Sequence, residues 1–348
     1  MRLRPDHRIA LLMHEGTTNN RGKTGLAMLR YSQNPIVAVI DHECAGQSLT
    51  EVTGIEHVAP IVSSFKEALD YDPDILAIGI APSGGGLPES WYEEVRQAVE
   101  AGLSIVNGLH TRMAEDPALK AHLQPEQWIW DVRQEPPGLR VGTGQARHLP
   151  CKRVLAVGTD MSVGKMSTNL ELHRASLLKG LRSKVIATGQ TNLMLGDDGI
   201  PLDAIRVDFA SGAVEQKVMQ YGHDVDLLYI EGQGSLLNPA STATLPLLRG
   251  SQPTHLILVH RAGQHCIQNF PEVPIPPLPE VIHLYETVAA AAGAFLPAKV
   301  VAIALNTGHL DQMAAERAIA ETESLTRLPT TDVIRFGPDK LLKPILRD

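Results

Sequence analysis

The stretch VLAVGTDMSVGKMSTNLEL, residues 154–172, decides the fold. An apolar run ends at Gly158, a polar loop closes on Gly164-Lys165, and helix-forming residues follow. Glycines let the backbone curl so that several N–H groups point into one concavity. The helix start adds its positive dipole end, and Lys165 adds a full charge. A strand, such a loop and a helix in that order make a phosphate-binding loop suited to a di- or triphosphate. Gly158 and Gly164 enclose five residues where the usual spacing has four, and Met166 stands where a Ser or Thr hydroxyl normally binds magnesium. Ser167 and Thr168 come next, but consecutive helical residues point about 100° apart. Neither simply substitutes. The anion cradle survives, the metal ligand is in question, and no metal-ligating set is assigned.

Outward from this loop, continuous apolar runs alternate with helical patterns. KRVLAVG (152–158), KVIATG (184–189), VDLLYIEG (225–232), THLILVH (254–260) and KVVAIALN (299–306) read as at least five buried strands, with a helix over 167–181. Before the loop, HRIALLM (7–13), PIVAVID (35–41), DILAIGIA (74–81) and LSIVNG (103–108) read the same way, with a helix over 91–102. Both halves therefore predict α/β parallel sheets covered by helices. Residues 131–150, with three prolines and three glycines, are the candidate linker. The domains are set at 1–145, Rossmann-like, and 146–348, P-loop NTPase-like. The five prolines of FPEVPIPPLPE (270–280) predict a rigid, extended surface segment rather than a helix or central strand.

A chain of 348 residues, 43% hydrophobic and 20% charged, is long enough for two folded cores, which excludes a disordered or collagen-like protein. The net charge of −8 (31 basic and 39 acidic residues) argues against non-specific nucleic-acid or anionic-membrane binding. Cys44, Cys151 and Cys266 are odd in number and far apart, so the expectation is a reducing cytoplasm with no disulfide framework or thiolate zinc site. The apolar run in MRLRPDHRIALLM is too short for a signal peptide, and Pro297 and Lys299 interrupt Val288 to Leu305, so no membrane span is expected.

Further candidates cluster at predicted strand ends, where open α/β sheets place their ligand crevice. Glu231, in Glu231-Gly232-Gln233-Gly234, is placed beside the phosphate loop to hold magnesium or to accept a proton from a substrate amine. His260 follows its strand as a possible base, and Arg261 offers a fork for a carboxylate. Asn306-Thr307 is a candidate contact for adenine. Asp208 is a weaker substrate candidate, equally explained by helix capping. Gly16 to Gly25 reads as a structural turn, and Asp41 lacks the preceding G-x-G-x-x-G of a dinucleotide site. Ser83-Gly84-Gly85-Gly86 is an ordinary loop or a substrate-lining one.

The start Gly158-Thr159-Asp160, the longer loop and the Glu231-Gly232-Gln233-Gly234 turn resemble dethiobiotin synthetase and its relatives. Across nearly the whole chain, the order Gly22-Lys23-Thr24-Gly25, Asp41, Gly158 to Thr168 and Glu231 to Gly234 resembles another family. That family was long catalogued as a domain of unknown function and includes D-glutamate N-acetyltransferases. The resemblance implies acetyl transfer from acetyl-CoA to the amine of an acidic D-amino acid. The phosphates of coenzyme A would be cradled by Gly158, Thr159, Asp160, Ser162, Val163, Gly164, Lys165, Met166, Ser167 and Thr168, with Asn306 nearby. Glu231 or His260 would be the base, and Arg261 and Asp208 would meet the substrate. Two alternatives stand: a ligase or kinase using ATP with magnesium, and a nucleotide-binding module without turnover. A homo-oligomer is expected for an enzyme of this size.

Overall fold

The computed structural model describes residues 3–81 and 86–347, and within them the chain divides into two compact units. One comprises the N-terminal residues to Gln134 together with Gln190–Asp197. The other comprises Glu135–Gly189 and the residues from Asp198 onward. Ser83 to Gly85 of the glycine-rich loop lie outside the described residues.

In the N-terminal unit, β1 (Ile9–Leu12), β2 (Ile36–Ile40), β3 (Ile61–Val62), β4 (Ile75–Ile78), β5 (Ser104–Asn107) and β6 (Ile129–Asp131) form a parallel sheet in the order β3-β2-β1-β4-β5-β6. This is the Rossmann order, with β1 at the centre. All four residues of β1 are buried, as an unbroken apolar run predicts for a strand covered on both faces. The helix Glu89–Glu100 buries Trp91, Val95, Ala98 and Val99, spaced one turn apart along one face. Val95 and Val99 each contribute about 1.5–3 kcal/mol on burial. Gly22-Lys23-Thr24-Gly25 opens the helix Lys23–Tyr31. A Cβ at Gly25 would lie 2.3 Å from Met13 Sδ, and the Gly25 N–H donates to Gly79 O at 2.7 Å. Helix-to-sheet packing accounts for this glycine.

In the C-terminal unit, β7 (Lys152–Gly158), β8 (Ser183–Ile186), β9 (Leu227–Ile230), β10 (His255–Arg261), β13 (Lys299–Asn306) and β14 (Thr330–Thr331) are likewise parallel, in the order β14-β13-β10-β7-β9-β8. Successive connections leave β7 first toward β8 and β9, then toward β10 and β13. The point where the order reverses lies at the carboxyl end of β7, the place where open α/β sheets bind their ligands.

The helix expected over 167–181 spans Lys165–Leu178. The proline-rich segment departs from its expectation in part. Phe270–Pro274 is an edge strand, β12, paired antiparallel with β11 (Cys266–Ile267), and a helix begins at Leu278, inside the segment. Pro279 falls in the first helical turn, where its missing N–H breaks no intrahelical bond. Asp208 lies in the first turn of the helix Val207–Tyr221. Among the described residues, no helix is long and apolar enough to cross a membrane.

Candidate phosphate-binding site

The loop after β7 closes on itself. Lys165 is buried and its Nζ donates to Asp160 O at 2.7 Å, drawing the ammonium back across the loop. Gly164 has φ +115°, open only to glycine, and Ser162 at the exposed tip has φ +56°. A non-glycine residue in the left-handed region costs about 1–2 kcal/mol and persists where the surroundings impose it. Several contacts do so here. Asn306 Nδ2 donates to Val163 O at 3.1 Å, the Thr159 N–H donates to Val259 O at 3.1 Å, and Tyr285 Oη donates to Gly158 O at 2.7 Å. Tyr285 also accepts the Leu236 N–H at 3.1 Å, and its burial raises the phenol above its usual range.

Asp160 is fully buried, and its carboxylate is committed to the protein. Oδ1 accepts from the Met161 N–H at 2.6 Å and Asn238 Nδ2 at 2.7 Å. Oδ2 accepts from Gln264 Nε2 at 2.7 Å and the Gln268 N–H at 2.6 Å. With about four acceptor directions on a carboxylate, these bonds occupy it. Asp160 thus ties the loop to the β11–β12 hairpin and to residue 238. The Thr168 hydroxyl donates to Gly164 O at 3.0 Å, a bond within its own helix. Met166 and Ser167 are half-buried at the helix start. The donor set next to the lysine therefore fits an anion held by N–H groups and fits magnesium poorly.

Glu231, at the end of β9, is 3% exposed. Its Oε2 accepts from the N–H groups of Thr188 (2.8 Å) and Gly189 (3.0 Å), and Gln233 Nε2 lies 3.4 Å from Oε1. Gly232 is required by close approach, since a Cβ there would lie 1.7 Å from Ala156 O and 2.9 Å from Lys165 Cδ. Glu231, at the end of β9, and Lys165, at the start of the helix after β7, are thereby held close to one another.

His260 is buried, with Nδ1 2.9 Å from Thr159 Oγ1; burial, with the nearby His265, lowers its pKa to about 4. Burial lowers His173 similarly, to about 4, with help from Lys184 and Arg174. Both rings are neutral near pH 7. The unfolded chain takes up protons below about 6.5 that the folded protein refuses until about 4. Stability is therefore expected to fall as pH drops through that window, by at most about 3.4 kcal/mol per ring, and to lose nothing further from these groups below it. Urea midpoints measured from about pH 7 to about pH 4 check this. The slope should shrink in a His260→Gln variant.

The structure thus brings together Gly158, Thr159, Asp160, Gly164, Lys165, Glu231, His260 and Asn306 at the strand ends of one sheet. Arg261 is half-buried beside Asn306 in the β10–β13 register. Asp208 is exposed, and no contact joins it to this group among the described residues. Asn238, Gln264, Gln268 and Tyr285 were not anticipated. They lie about 80 to 130 residues from the loop in sequence, and no local spacing marks them.

Residues 140–342 match a P-loop domain of unknown function, DUF1611_C, and residues 42–135 match the Rossmann-like domain of unknown function DUF1611_N. A protein from Tritonibacter scottomollicae named D-glutamate N-acetyltransferase is 35% identical over 282 residues, covering 80% of this chain and 83% of that protein. One of the same name from a Pseudoalteromonas species is 31% identical over 281 residues, with the same coverage. A crystal structure of a DUF1611 family protein from Anabaena variabilis is 63% identical, with a TM-score of 0.97 over 99% of this chain and 100% of that one. With both halves matched, a Rossmann-like sheet in one and a phosphate-binding loop in the other, the chain belongs to the DUF1611 family.

Proposed function

We propose that the protein is an N-acetyltransferase that moves the acetyl group of acetyl-CoA to the α-amine of an acidic D-amino acid, D-glutamate or a near analogue, in the cytoplasm. The observation that carries this reading is the match, along four-fifths of the chain, to relatives named D-glutamate N-acetyltransferase. The chemistry of the loop supports it. Coenzyme A bears phosphates that main-chain N–H groups and one lysine can hold without a metal. Met166, the internally bonded Thr168 hydroxyl and the fully occupied Asp160 carboxylate suit that better than magnesium-ATP.

In this reading Lys165 and the backbone of 158–168 bind the phosphates, and Arg261 grips a substrate carboxylate. Glu231 accepts a proton from the substrate ammonium, since two N–H groups fix one of its oxygens. The freed amine attacks the thioester carbonyl, the C–N bond forms and the C–S bond breaks. The second amine proton leaves with the thiol of coenzyme A. His260, buried and bonded to Thr159, takes a positioning role.

The test incubates the full chain with acetyl-CoA and D-glutamate and follows free thiol and N-acetyl-D-glutamate. A general base contributes about 10²–10⁴-fold, so Glu231→Gln should lower kcat by that order while the fold is kept. Unchanged turnover would remove Glu231 from the reaction. Product that forms only with magnesium-ATP would replace acetyl transfer by ligase chemistry.

A further inference from the structure

The N-terminal unit carries a second group of chemistry-bearing residues that the proposed reaction does not use. β1 and β2 are adjacent and parallel, with Leu12 opposite Ile40, so the residues just beyond their carboxyl ends emerge side by side. His14 follows β1, and Asp41 and His42 follow β2. His14 is 3% exposed, its ring lies 5.5 Å from that of Trp91, and its Nε2 is 2.9 Å from Glu94 Oε2. A ring nitrogen facing a carboxylate is the protonated one, which leaves the lone pair on Nδ1. Onto that nitrogen point the His42 N–H, at 3.1 Å, and His42 Nδ1, at 2.9 Å.

Asp41 completes the group. Its carboxylate is buried and fixed by the N–H groups of Glu15 and Glu43 on Oδ1 (3.2 and 3.1 Å) and of Thr17 on Oδ2 (3.2 Å). One ligand atom from each of His14, Asp41 and His42 lies within 4.8 Å of the other two. His42 is exposed, so a path from solvent exists.

We propose that His14 Nδ1, His42 Nδ1 and the Asp41 carboxylate form a binding site for a divalent first-row transition metal, zinc in class. Two imidazoles and one carboxylate favour such ions over magnesium or calcium, which take oxygen ligands. A carboxylate that accepts the N–H of a ligating histidine's far nitrogen is the usual support of such a site, and Glu94 occupies that place. Bonds of about 2.0–2.1 Å at tetrahedral angles put ligand atoms roughly 3.3 Å apart. The two nitrogens must therefore open by a few tenths of an ångström, the carboxylate move inward, and the ion replace the His42 N–H at His14 Nδ1. His42 changes tautomer on binding, its Nδ1 proton being replaced by one on Nε2, so no net proton is released. Three protein ligands leave a position for solvent on the ion.

The test titrates chelator-stripped full-length protein with Co2+ and then Zn2+, read by calorimetry and by the visible absorption of bound Co2+. One equivalent of Co2+ with an N/O-type spectrum, displaced by Zn2+, is expected. His14→Ala and His42→Ala should each weaken binding at least 100-fold, and Glu94→Gln by about 10–100-fold, the cost of losing an outer partner. Lys165→Ala should leave it unchanged. Because His14 is buried, His42→Ala is the decisive variant if His14→Ala fails to fold. No stoichiometric Co2+ binding by the wild type, or binding that His42→Ala leaves intact, would overturn the site and make the group a hydrogen-bonded brace between two loops.

Discussion

Lys165→Ala is expected to weaken acetyl-CoA binding by about 10²–10³-fold while leaving the thermal midpoint nearly unchanged. The ammonium is buried at the start of a helix and bonds to Asp160 O across the loop that would hold the phosphates. A charge-assisted bond to phosphate is worth about 1.5–3 kcal/mol, and Lys165 offers more than one. Losing roughly 3–4 kcal/mol is two to three decades of affinity. The protein itself loses its internal contacts, the bond to the Asp160 carbonyl among them, and sheds the desolvation cost of a buried cation, terms of opposite sign. Calorimetry with acetyl-CoA, and thermal shift at saturating ligand, read both quantities. A wild type that gains no stability from acetyl-CoA would sink the premise, because ligand at a hundredfold excess over Kd should add about 2.7 kcal/mol.

The second large effect is on stability. Gly232→Ala should destabilise the C-terminal unit by about 4 kcal/mol or more, a size reserved for a few mechanisms, of which a main-chain collision is one. The new Cβ would meet Ala156 O at 1.7 Å, and main chain in a central strand has no rotamer by which to escape. At about 2–4 °C per kcal/mol for a unit of this size, the midpoint should drop by roughly 8–16 °C. The same Cβ would press on Lys165 Cδ at 2.9 Å, so protein that remains folded should also bind acetyl-CoA less well. Gly263, with open space around it, is the control: it has φ +72°, and Gly263→Asn keeps a residue that tolerates that region, so little change is expected. An unshifted midpoint in Gly232→Ala would mean that the β7–β9 strand ends are farther apart than described.

Much of this was legible in the chain. IALL, IVAVI, LLYI and HLILVH read as buried parallel strands because an unbroken apolar run suits a strand covered on both faces. The loop of 158–168 was legible because its chemistry is local: glycines, a lysine and a helix start within a dozen residues. Prolines were less informative. FPEVPIPPLPE holds both an edge strand and a helix start, since proline is excluded from neither. Residues 190–197 lie between stretches of the C-terminal unit in sequence yet belong to the N-terminal one, and no composition change marks the crossing.

What the sequence by itself determined, then, was the class of each sheet, the anion cradle and the absence of a hydroxyl at Met166, because each depends on periodicity or on neighbours a few residues apart. Tertiary structure alone decided which distant groups meet. The Asp160 carboxylate is bonded three times to distant groups, Asn238, Gln264 and the N–H of Gln268 in the β11–β12 hairpin. Tyr285 supports Gly158 from 127 residues away. His14 and His42 meet although 28 residues separate them, because β1 and β2 lie side by side and end together. Hydrogen bonds reach about 3 Å in space and carry no memory of distance along the chain, so these pairings exist only once the sheets have formed.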